Sequence, residues 1–421
     1  MSVDSVAVSN AGPGGKPWLT VIGVGDAGLA TLTPEARAAL DAATLVFGGR
    51  RHLAMLASAQ QTMAWRSPFR DSLADIAARR GLPTAILATG DPSWFGVAGT
   101  LAELYRPDEM RVLPAPSAFS LAAARLGWVL EEAECLSIHG LPLAGLHRHV
   151  MPGARLLVLS DNAGSPAEVA ALLAARGYGP SRITVLEHLG GAAERLRQQR
   201  ADRFDLAGVA PLNMLALDCI PEAGALLLPP VPGLPDEAFR HDGKMTKRVA
   251  RAVALAALAP YPGAVMWDVG AGCGSVAVEW MRAARWTEAV AFEPLEERRA
   301  MIAENAEALG APGISIVGGK APDTFHAVPG APDAVFIGGG LSDAVFEPAW
   351  KRLKPGGRMV AHAVTLESER LLIDLHARLG GELIRLSVDR AEPVGPFRGW
   401  RPAMPVVHWA VVKPLAPEQP T

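Results

Sequence analysis

Short hydrophobic runs alternate with longer amphipathic stretches along most of the chain. Apolar runs bounded by glycine or proline are typical of buried strands, and the alanine-rich stretches between them favour helices. The predicted strands of the first half are "WLTVIGVG", "TAILATG", "MRVLPAP" and "ARLLVLSDN". Two helices are predicted at "TPEARAALDAA", with Thr33 as its N-cap, and at "SPAEVAALLAARGYG", where Ser165 and Glu168 have capping-box spacing.

The alternation continues more regularly in the second half. Its predicted strands are "AVMWDVG", "AVAFE", "ISIVG", "DAVFIGGG" and "GRMVAHAV", followed by "GELIRLSV" and "PVVHWAVV" as a terminal pair. Strands that alternate with helices form largely parallel sheets with helices packed on their faces. The pattern therefore predicts an α/β protein in both halves.

A proline-rich segment separates the two halves. Four prolines fall within residues 229–235, and such a segment continues neither a helix nor a central strand. We therefore predict a flexible leader at residues 1–18, a first domain at 19–228, a linker at 229–235 and a second domain at 236–415.

Composition narrows the class of protein. With 421 residues, half of them apolar, the chain is long enough for two cores, and no apolar run is long enough for a membrane span. The net charge of −3 disfavours a nucleic-acid partner, which normally requires a basic surface. Three scattered cysteines fit a reducing cytoplasm better than a disulfide framework, and no ligand set for a metal is apparent.

One glycine-rich loop carries the strongest chemical signal. Asp268, Gly270, Gly272 and Gly274 alternate with single residues directly after a predicted strand. A dinucleotide fingerprint requires glycine or alanine where Ser275 stands, so a pyrophosphate site fits poorly. The pattern instead suits S-adenosylmethionine (SAM), whose cationic methionine end Asp268 would attract. The acid for its ribose hydroxyls is expected at the end of the next strand, at Glu293, and its adenine edge near Ala321.

Longer motifs resemble a known family. "GLPDEAFRHDGKMTKR", "WDVGAGCGS", "PDAVFIGGG" and "RAEPVGPFRGWRPAMPV" resemble the CbiT-type methyltransferases of cobalamin biosynthesis over residues 233–412. "GVGDAG", "ATGDPSWFG", "PAPSAFS", "SIHGLP", "EHLGGAAER" and "LNMLALD" resemble the CbiE-type tetrapyrrole methylases over residues 19–228. A chain with both is similar to the CobL-type, decarboxylating precorrin-6Y C5,15-methyltransferases.

The resemblance implies a fold and a reaction. The fold is a tetrapyrrole methylase domain of two α/β subdomains, followed by a class I Rossmann-like methyltransferase with a mostly parallel seven-stranded sheet. The reaction is SAM-dependent methylation of precorrin-6B at carbons 5 and 15, with loss of the ring C acetate as carbon dioxide, to give precorrin-8X. It implies one SAM site per domain, with carbon 5 methylated by the first and carbon 15 by the second. Both kinds of domain usually self-associate, so a homo-oligomer is expected.

The resemblance also implies site residues. In the second domain the implied SAM contacts are Thr246, Asp268, Gly270, Ala271, Gly272, Cys273, Gly274, Glu293 and Ala321. In the first domain they are Gly23, Gly25, Gly90, Asp91, Pro92, Ser117, Ala118 and Asn213. Thr246 is expected to cap a helix, to contact SAM, or both. Two positions depart from the family pattern: Asp26 replaces a common proline, and Leu141 replaces an arginine that would bind a substrate carboxylate.

The implied substrate is a polycarboxylate macrocycle, which arginine and lysine side chains suit. Candidate contacts are Lys244, Lys247, Arg248, Arg398 and Arg401, with Trp400 lying against the ring. His241 and Asp242 either face the substrate or form a solvent-exposed loop pair, and Asp242 is the candidate for catalytic proton transfer.

Three alternatives stay open from the residues alone. The first alternative is a NAD-dependent oxidoreductase, which Ser275 opposes. The second is a non-catalytic tetrapyrrole carrier, which the intact Asp268 and Glu293 disfavour. The third keeps the methylation chemistry but uses the cobalt-containing substrate.

Overall fold

The computed structural model describes residues 17–415, which form two compact units. The first unit runs to residue 141 and includes residues 152–225; the second contains residues 142–151 and the chain from residue 226 onward. Residues 1–16 of the predicted leader lie outside the described residues. Trp18, the last residue of that leader, is buried and meets the Tyr105 ring edge-on at a centroid distance of 5.4 Å.

The first unit contains two sheets of five strands. Its strands are β1 (Leu19–Val24), β2 (Leu45–Gly48), β3 (Thr62–Ala64), β4 (Thr84–Thr89), β5 (Met110–Leu113), β6 (Ala133–Ser137), β7 (Arg155–Leu159), β8 (Arg182–Glu187), β9 (Arg195–Arg200) and β10 (Asn213–Asp218). Its helices are α1 (Pro34–Asp41), α2 (Arg50–Leu53), α3 (Arg70–Ala77), α4 (Val97–Ala102), α5 (Ala118–Leu126) and α6 (Ser165–Ala175).

The two sheets differ in strand direction. The first has the order β3-β2-β4-β1-β5 and is parallel throughout. The second has the order β6-β7-β10-β8-β9, and only its β6–β7 pair is parallel. Because β1 and β4 are parallel neighbours, the loops after both strands lie at the same edge of the sheet.

The second unit contains one large sheet. Its strands are β11 (Val265–Val269), β12 (Glu288–Phe292), β13 (Ser315–Val317), β14 (Ala334–Ile337), β15 (Arg358–Ala363), β16 (Glu382–Leu386), β17 (Asp389–Val394), β18 (Phe397–Pro402) and β19 (Val406–Val412). Its helices are α7 (Arg248–Leu258), α8 (Ser275–Ala283), α9 (Glu296–Leu309), α10 (Asp343–Arg352) and α11 (Leu366–Leu379).

The large sheet has seven strands in the order β13-β12-β11-β14-β15-β19-β16. The first five are parallel, and β19 runs antiparallel to both neighbours, so the predicted mostly parallel sheet is confirmed. Strands β17 and β18 form a separate antiparallel ribbon that the hydrophobic pattern did not indicate. Apolar side chains pack on both faces of the sheet, around Trp267 and Trp409 on one face and Trp280 on the other.

Helix starts test the local predictions. Thr33 caps α1 as expected, because its hydroxyl accepts a hydrogen bond from Ala36 N at 3.2 Å. The capping box predicted at Ser165 is wrong. α6 begins at Ser165 itself, after Gly164, and the serine hydroxyl instead accepts from the N–H groups of Asp161 and Asn162.

The units do not divide the chain at a single point. Residues 142–151, within the first half of the sequence, belong to the second unit, where the short 3-10 helix Leu143–Arg148 packs on α9. The contact is close at the end of α9, where a Cβ on Gly310 would lie 3.0 Å from Arg148 N. The proline-rich segment alone does not predict that residues 142–151 belong to the second unit.

Among residues 17–415, no helix is both long and apolar enough to cross a membrane. In that same range no group of three His, Cys, Asp or Glu side chains is arranged to hold a metal ion, and the three cysteines form no disulfide.

A buried ionic cluster anchors the segment that precedes α7. The fully buried Arg251 donates from Nε to Glu279 Oε1 at 2.6 Å and from its other nitrogens to Asp236 and to the carbonyls of Leu234 and Thr246. Glu279 in turn accepts the N–H groups of Gly233, at 2.6 Å, and Leu234, at 2.9 Å. One ion pair between α7 and α8 therefore fixes the backbone of residues 233–246.

We expect Arg251→Met to lower the free energy of unfolding of the second unit by about 3–5 kcal/mol, because it leaves the Glu279 carboxylate buried without its cation. Urea unfolding of the full chain measures the loss, and amide hydrogen exchange in α7 and α8 locates it. The control is Arg370→Met, which breaks the exposed Arg370–Asp374 pair and should change stability by less than about 0.5 kcal/mol. Equal effects of the two variants would contradict the anchoring role.

Candidate functional site

The glycine-rich loop lies between β11 and α8, as the sequence predicts. Gly270, Gly272 and Gly274 all have positive φ, which side chains rarely tolerate. A Cβ on Gly270 would lie 2.6 Å from Gly339 O, and one on Gly274 would lie 2.9 Å from the Ile302 side chain. Glycine is therefore required here both for conformation and for close packing at the carboxyl end of the sheet.

Asp268 is the penultimate residue of β11, directly before this loop. The residue is 1% exposed, and its Oδ2 accepts a hydrogen bond from Ala277 N at 3.1 Å. Its Oδ1 has no hydrogen-bond partner among the described residues. Burial raises the pKa of the Asp268 carboxyl to about 7. An unpaired buried carboxylate oxygen is costly to keep, so this atom is suited to a donor from a ligand.

Glu293 follows β12 and holds the loop in place. Its Oε2 accepts from Gly272 N at 2.8 Å, and its Oε1 accepts from Leu295 N at 3.1 Å. Each carboxylate oxygen retains a second lone pair, so the backbone bonds orient the group without exhausting it. Ala321 lies after β13, partly buried against the core around Trp267. Cys273 is buried, and burial raises the pKa of its thiol, so it is a packing residue of the loop.

The segment before α7 passes beside the glycine loop. A Cβ on Gly272 would lie 3.2 Å from Lys244 O, which shows how closely the two backbones approach. Thr246 is half-buried, and its carbonyl accepts from Arg251 Nη1 at 2.6 Å. Thr246 is not the N-cap of α7: the N-cap is Lys247, which makes no side-chain capping bond.

The polar residues of this segment bond mainly within it. His241 Nδ1 accepts from Gly243 N, and Asp242 Oδ1 accepts from Lys244 N, each at 2.9 Å. Asp242 Oδ2 also accepts from Arg298 at 2.7 Å. The Lys244 N–H and the Arg298 guanidinium hold the pKa of Asp242 below its usual value, which makes it a weak base. The side chains of Lys244, Lys247 and Arg248 are exposed.

The candidate residues near the end of the chain lie on the β17–β18 ribbon. Because strand side chains alternate, Arg398 and Trp400 share one face and Arg401 points to the other. Trp400 is 76% exposed, and Arg401 pairs with Glu392 across the ribbon at 3.1 Å. Arg398 and Trp400 can therefore meet one ligand together, whereas Arg401 belongs to the opposite surface.

The first unit contains a pocket at the edge where β1 and β4 end. Its lining includes four of the predicted residues, Gly25, Gly90, Ala118 and Asn213, beside leucine side chains. Gly90 has a φ of +60°, and a Cβ on Gly23 would lie 2.0 Å from Gly90 O, so the two glycines bring these loops together.

Three other predicted residues of this unit lie beside the pocket and not in its lining. The Ser117 hydroxyl caps α5 by accepting from Ser120 N at 3.1 Å. Asp91 accepts from Ser93 N, and both Asp91 and Ser117 line an adjacent depression beside Trp94. Pro92 is buried in the same turn.

Asn213 presents an unpaired acceptor to the pocket. Its amide nitrogen donates to Ala210 O at 2.8 Å and to Asn162 O at 3.2 Å. Its buried Oδ1 has no hydrogen-bond partner within the described range. Like Asp268 Oδ1 in the second unit, this oxygen can accept a hydrogen bond from a ligand. SAM carries such donors on its amino, adenine and ribose groups, so both sites fit it.

Sequence reasoning missed a polar group in the first pocket. Asp26 Oδ1 accepts from Arg51 at 2.5 Å, and Asp26 Oδ2 is 3.0 Å from His188 Nδ1. His52, whose pKa burial lowers to about 4, lies beside Arg51 and Thr89. The unusual aspartate at position 26 was the available signal, but its partners are distant in sequence.

Comparisons with known proteins match each half of the chain to a family of methyltransferases. Residues 18–205 match a family model of tetrapyrrole (corrin/porphyrin) methylases, and residues 237–413 match a model of a precorrin methyltransferase domain. A precorrin-6Y C(5,15)-methyltransferase (decarboxylating) of a Sinorhizobium species is 48% identical over 96% of this chain and 99% of its own length. A Mycobacterium tuberculosis protein of the same name is 40% identical over 94% of this chain and its full length.

A solved structure is also similar. The C-terminal domain of precorrin-6Y C5,15-methyltransferase from Rhodobacter capsulatus is 46% identical, covers 44% of this chain and all of its own, and has a TM-score of 0.42. The two full-length relatives match both halves of this chain, and not one domain only. The chain belongs to the family of decarboxylating precorrin-6Y C(5,15)-methyltransferases.

Proposed function

We propose that this chain methylates precorrin-6B at carbons 5 and 15 and removes the ring C acetate as carbon dioxide, giving precorrin-8X. Two buried oxygens that have no hydrogen-bond donor among residues 17–415, Asp268 Oδ1 and Asn213 Oδ1, carry the proposal, because each lies in a separate predicted SAM site. Family membership supports the reaction. We assign carbon 15 and the decarboxylation to the second domain and carbon 5 to the first, with the functional domains at 19–228 and 236–415.

The residues of the second site would hold SAM by its polar ends. The Asp268 carboxylate would bind the methionine ammonium group, Glu293 the ribose hydroxyls, and the loops at Thr246 and Ala321 the remaining edges. SAM supplies an electrophilic methyl group, so the protein mainly aligns the acceptor carbon and excludes water. Alignment of this kind accounts for on the order of 7–11 kcal/mol of a barrier.

The substrate would be held by exposed cations. Lys244, Lys247 and Arg248 lie exposed on the segment beside the glycine loop, and Arg398 shares a ribbon face with Trp400. Asp242 is better suited to hold this segment through Lys244 N and Arg298 than to transfer protons. The homo-oligomeric state, the cytoplasmic location and a cobalt-free substrate stay predictions.

Blocking one site at a time tests the division of labour. Gly25→Leu should fill the first pocket without disturbing the fold, because no atom of the described residues lies within 4 Å of a Cβ at Gly25. Glu293→Gln should weaken SAM binding at the second site roughly 10- to 100-fold, since it removes charged hydrogen bonds. With precorrin-6B and methyl-labelled SAM, mass spectrometry of the wild-type products should show two methyl groups gained and one carbon dioxide lost.

The two variants should fail differently. Gly25→Leu should yield a decarboxylated product with one methyl group, and Glu293→Gln should lose the decarboxylation. Calorimetry should count two SAM sites in the wild type and one in Gly25→Leu. Two methyl groups transferred at wild-type rates by both variants would refute the assignment of the sites, and NAD binding without SAM binding would favour an oxidoreductase.

SAM affinity at the second site should depend on pH. Because burial raises the pKa of Asp268 to about 7, the carboxyl is mostly protonated at pH 6 and mostly ionised at pH 8. A cationic ligand binds the ionised form, so affinity should rise roughly tenfold between these pH values. Calorimetry on the Gly25→Leu background isolates this site, and Asp268→Asn should remove the dependence. A pH-independent affinity in the protein with Asp268 intact would contradict the ammonium contact.

A further inference from the structure

The first pocket contains a histidine–aspartate pair in a largely apolar lining. His188 and Asp26 line it together with five leucines and Met214, and they are the titratable side chains that the described part of the chain contributes to that lining. His188 Nδ1 lies 3.0 Å from Asp26 Oδ2. The carboxylate can only accept, so Nδ1 carries the hydrogen and the lone pair of the ring lies on Nε2.

The local backbone conformation positions both side chains of the pair. His188 follows β8 with a φ of +50°, in the left-handed region that residues with a Cβ seldom adopt. A Cβ on Gly191 would lie 2.3 Å from Asp26 Oδ2, so only glycine leaves room for this carboxylate. Strained backbone that places a polar side chain in a pocket is typical of functional sites.

Charges around the pair are otherwise compensated. Asp26 Oδ1 is held by Arg51 of α2, beside which lies His52. Of the carboxylates near His188 in sequence, Glu187 is bonded by two arginines of β9, and Glu194 is bonded by Arg125 of α5. Asp26 is therefore the carboxylate that acts on the His188 ring.

The proposed reaction at carbon 5 requires a base. The new C–CH₃ bond takes an electron pair from the macrocycle, and the sulfur keeps the pair of the broken S–CH₃ bond. The macrocycle is then a cation and must lose the hydrogen of carbon 5 as a proton, returning the C–H electrons to the ring. One proton is therefore released for the methyl group added at carbon 5.

We propose that His188 Nε2 accepts this proton and that Asp26 is the positioning residue that fixes the ring and its tautomer. The inference rests on the proposed function of the first domain. The imidazolium formed faces the Asp26 carboxylate, which stabilises it. The side chain of His188 is 32% exposed, so the proton passes on to solvent.

Two substitutions suit the left-handed backbone at position 188. His188→Asn and His188→Gly should each lower the rate of carbon 5 methylation roughly 10²- to 10⁴-fold, the usual contribution of a general base. Both should give the same one-methyl, decarboxylated product as Gly25→Leu. Unlike Gly25→Leu, both should still bind two SAM molecules by calorimetry. Added imidazole should restore part of the rate in His188→Gly, and His376→Gln, a histidine at the end of α11, is the control.

The tautomer provides a readout independent of activity. In protein with ¹⁵N-labelled histidine, the His188 signals, identified by their absence in His188→Asn, should show hydrogen on Nδ1. Asp26→Asn should shift the balance toward Nε2 hydrogen and lower the carbon 5 rate.

The outcomes separate the inference from the function on which it rests. If the wild type transfers no methyl group, the proposed function fails and the inference with it. If the wild type makes precorrin-8X and His188→Asn does so at the same rate, the histidine is not the base. Loss of one SAM site in His188→Asn without rescue of His188→Gly by imidazole would make the pair a SAM contact instead and overturn the proposal.

Discussion

The ion pair between Arg251 and Glu279 is the constraint on which the second site depends. Buried charges are costly unless they are paired and hydrogen-bonded, and in addition to their mutual bond these two side chains bond the backbone at Gly233, Leu234 and Thr246. The same bonds lay the segment before α7 beside the glycine loop. Since Glu279 lies on the helix that begins at that loop, one interaction sets both walls of the site.

The two sites each offer a buried acceptor oxygen to a ligand, but different structural elements supply it. In the second unit, one strand–loop–helix junction supplies three glycines, and a charged residue, Asp268, offers the free oxygen. In the first, several loops meet at a sheet edge, and the free oxygen belongs to a neutral amide, Asn213. A neutral acceptor suits amino or hydroxyl donors, whereas a carboxylate suits an ammonium group. If both sites hold SAM as proposed, they therefore need not hold it in the same orientation.

The strands and the glycine loop of the second site could be predicted from the sequence, whereas contacts between distant segments could not. The strands around Asp268 are hydrophobic runs, and the loop is a local motif, so both are readable over ten residues. Three other features join segments that are distant in sequence: the Arg251–Glu279 pair, the contact between Asp26 and His188, and the membership of residues 142–151 in the second unit. No local periodicity encodes such contacts. Arg398, Trp400 and Arg401 were predicted together as substrate contacts because the alternation of a ribbon was not anticipated, and this alternation separates Arg401 from Arg398.

The chemistry of the two steps explains why a base would be placed in one unit. At carbon 15 the proposed reaction adds a methyl cation equivalent and releases carbon dioxide from a carboxylate. The proton lost from the meso carbon is balanced by the proton gained at the former acetate carbon, so no net proton leaves. At carbon 5 there is no decarboxylation, and each turnover releases one proton. Asp242, a weak base with a lowered pKa, therefore lies in the unit that has no net proton to release, and the histidine oriented by Asp26 lies in the unit that does. On this argument proton balance, rather than the methyl donor, distinguishes the two sites.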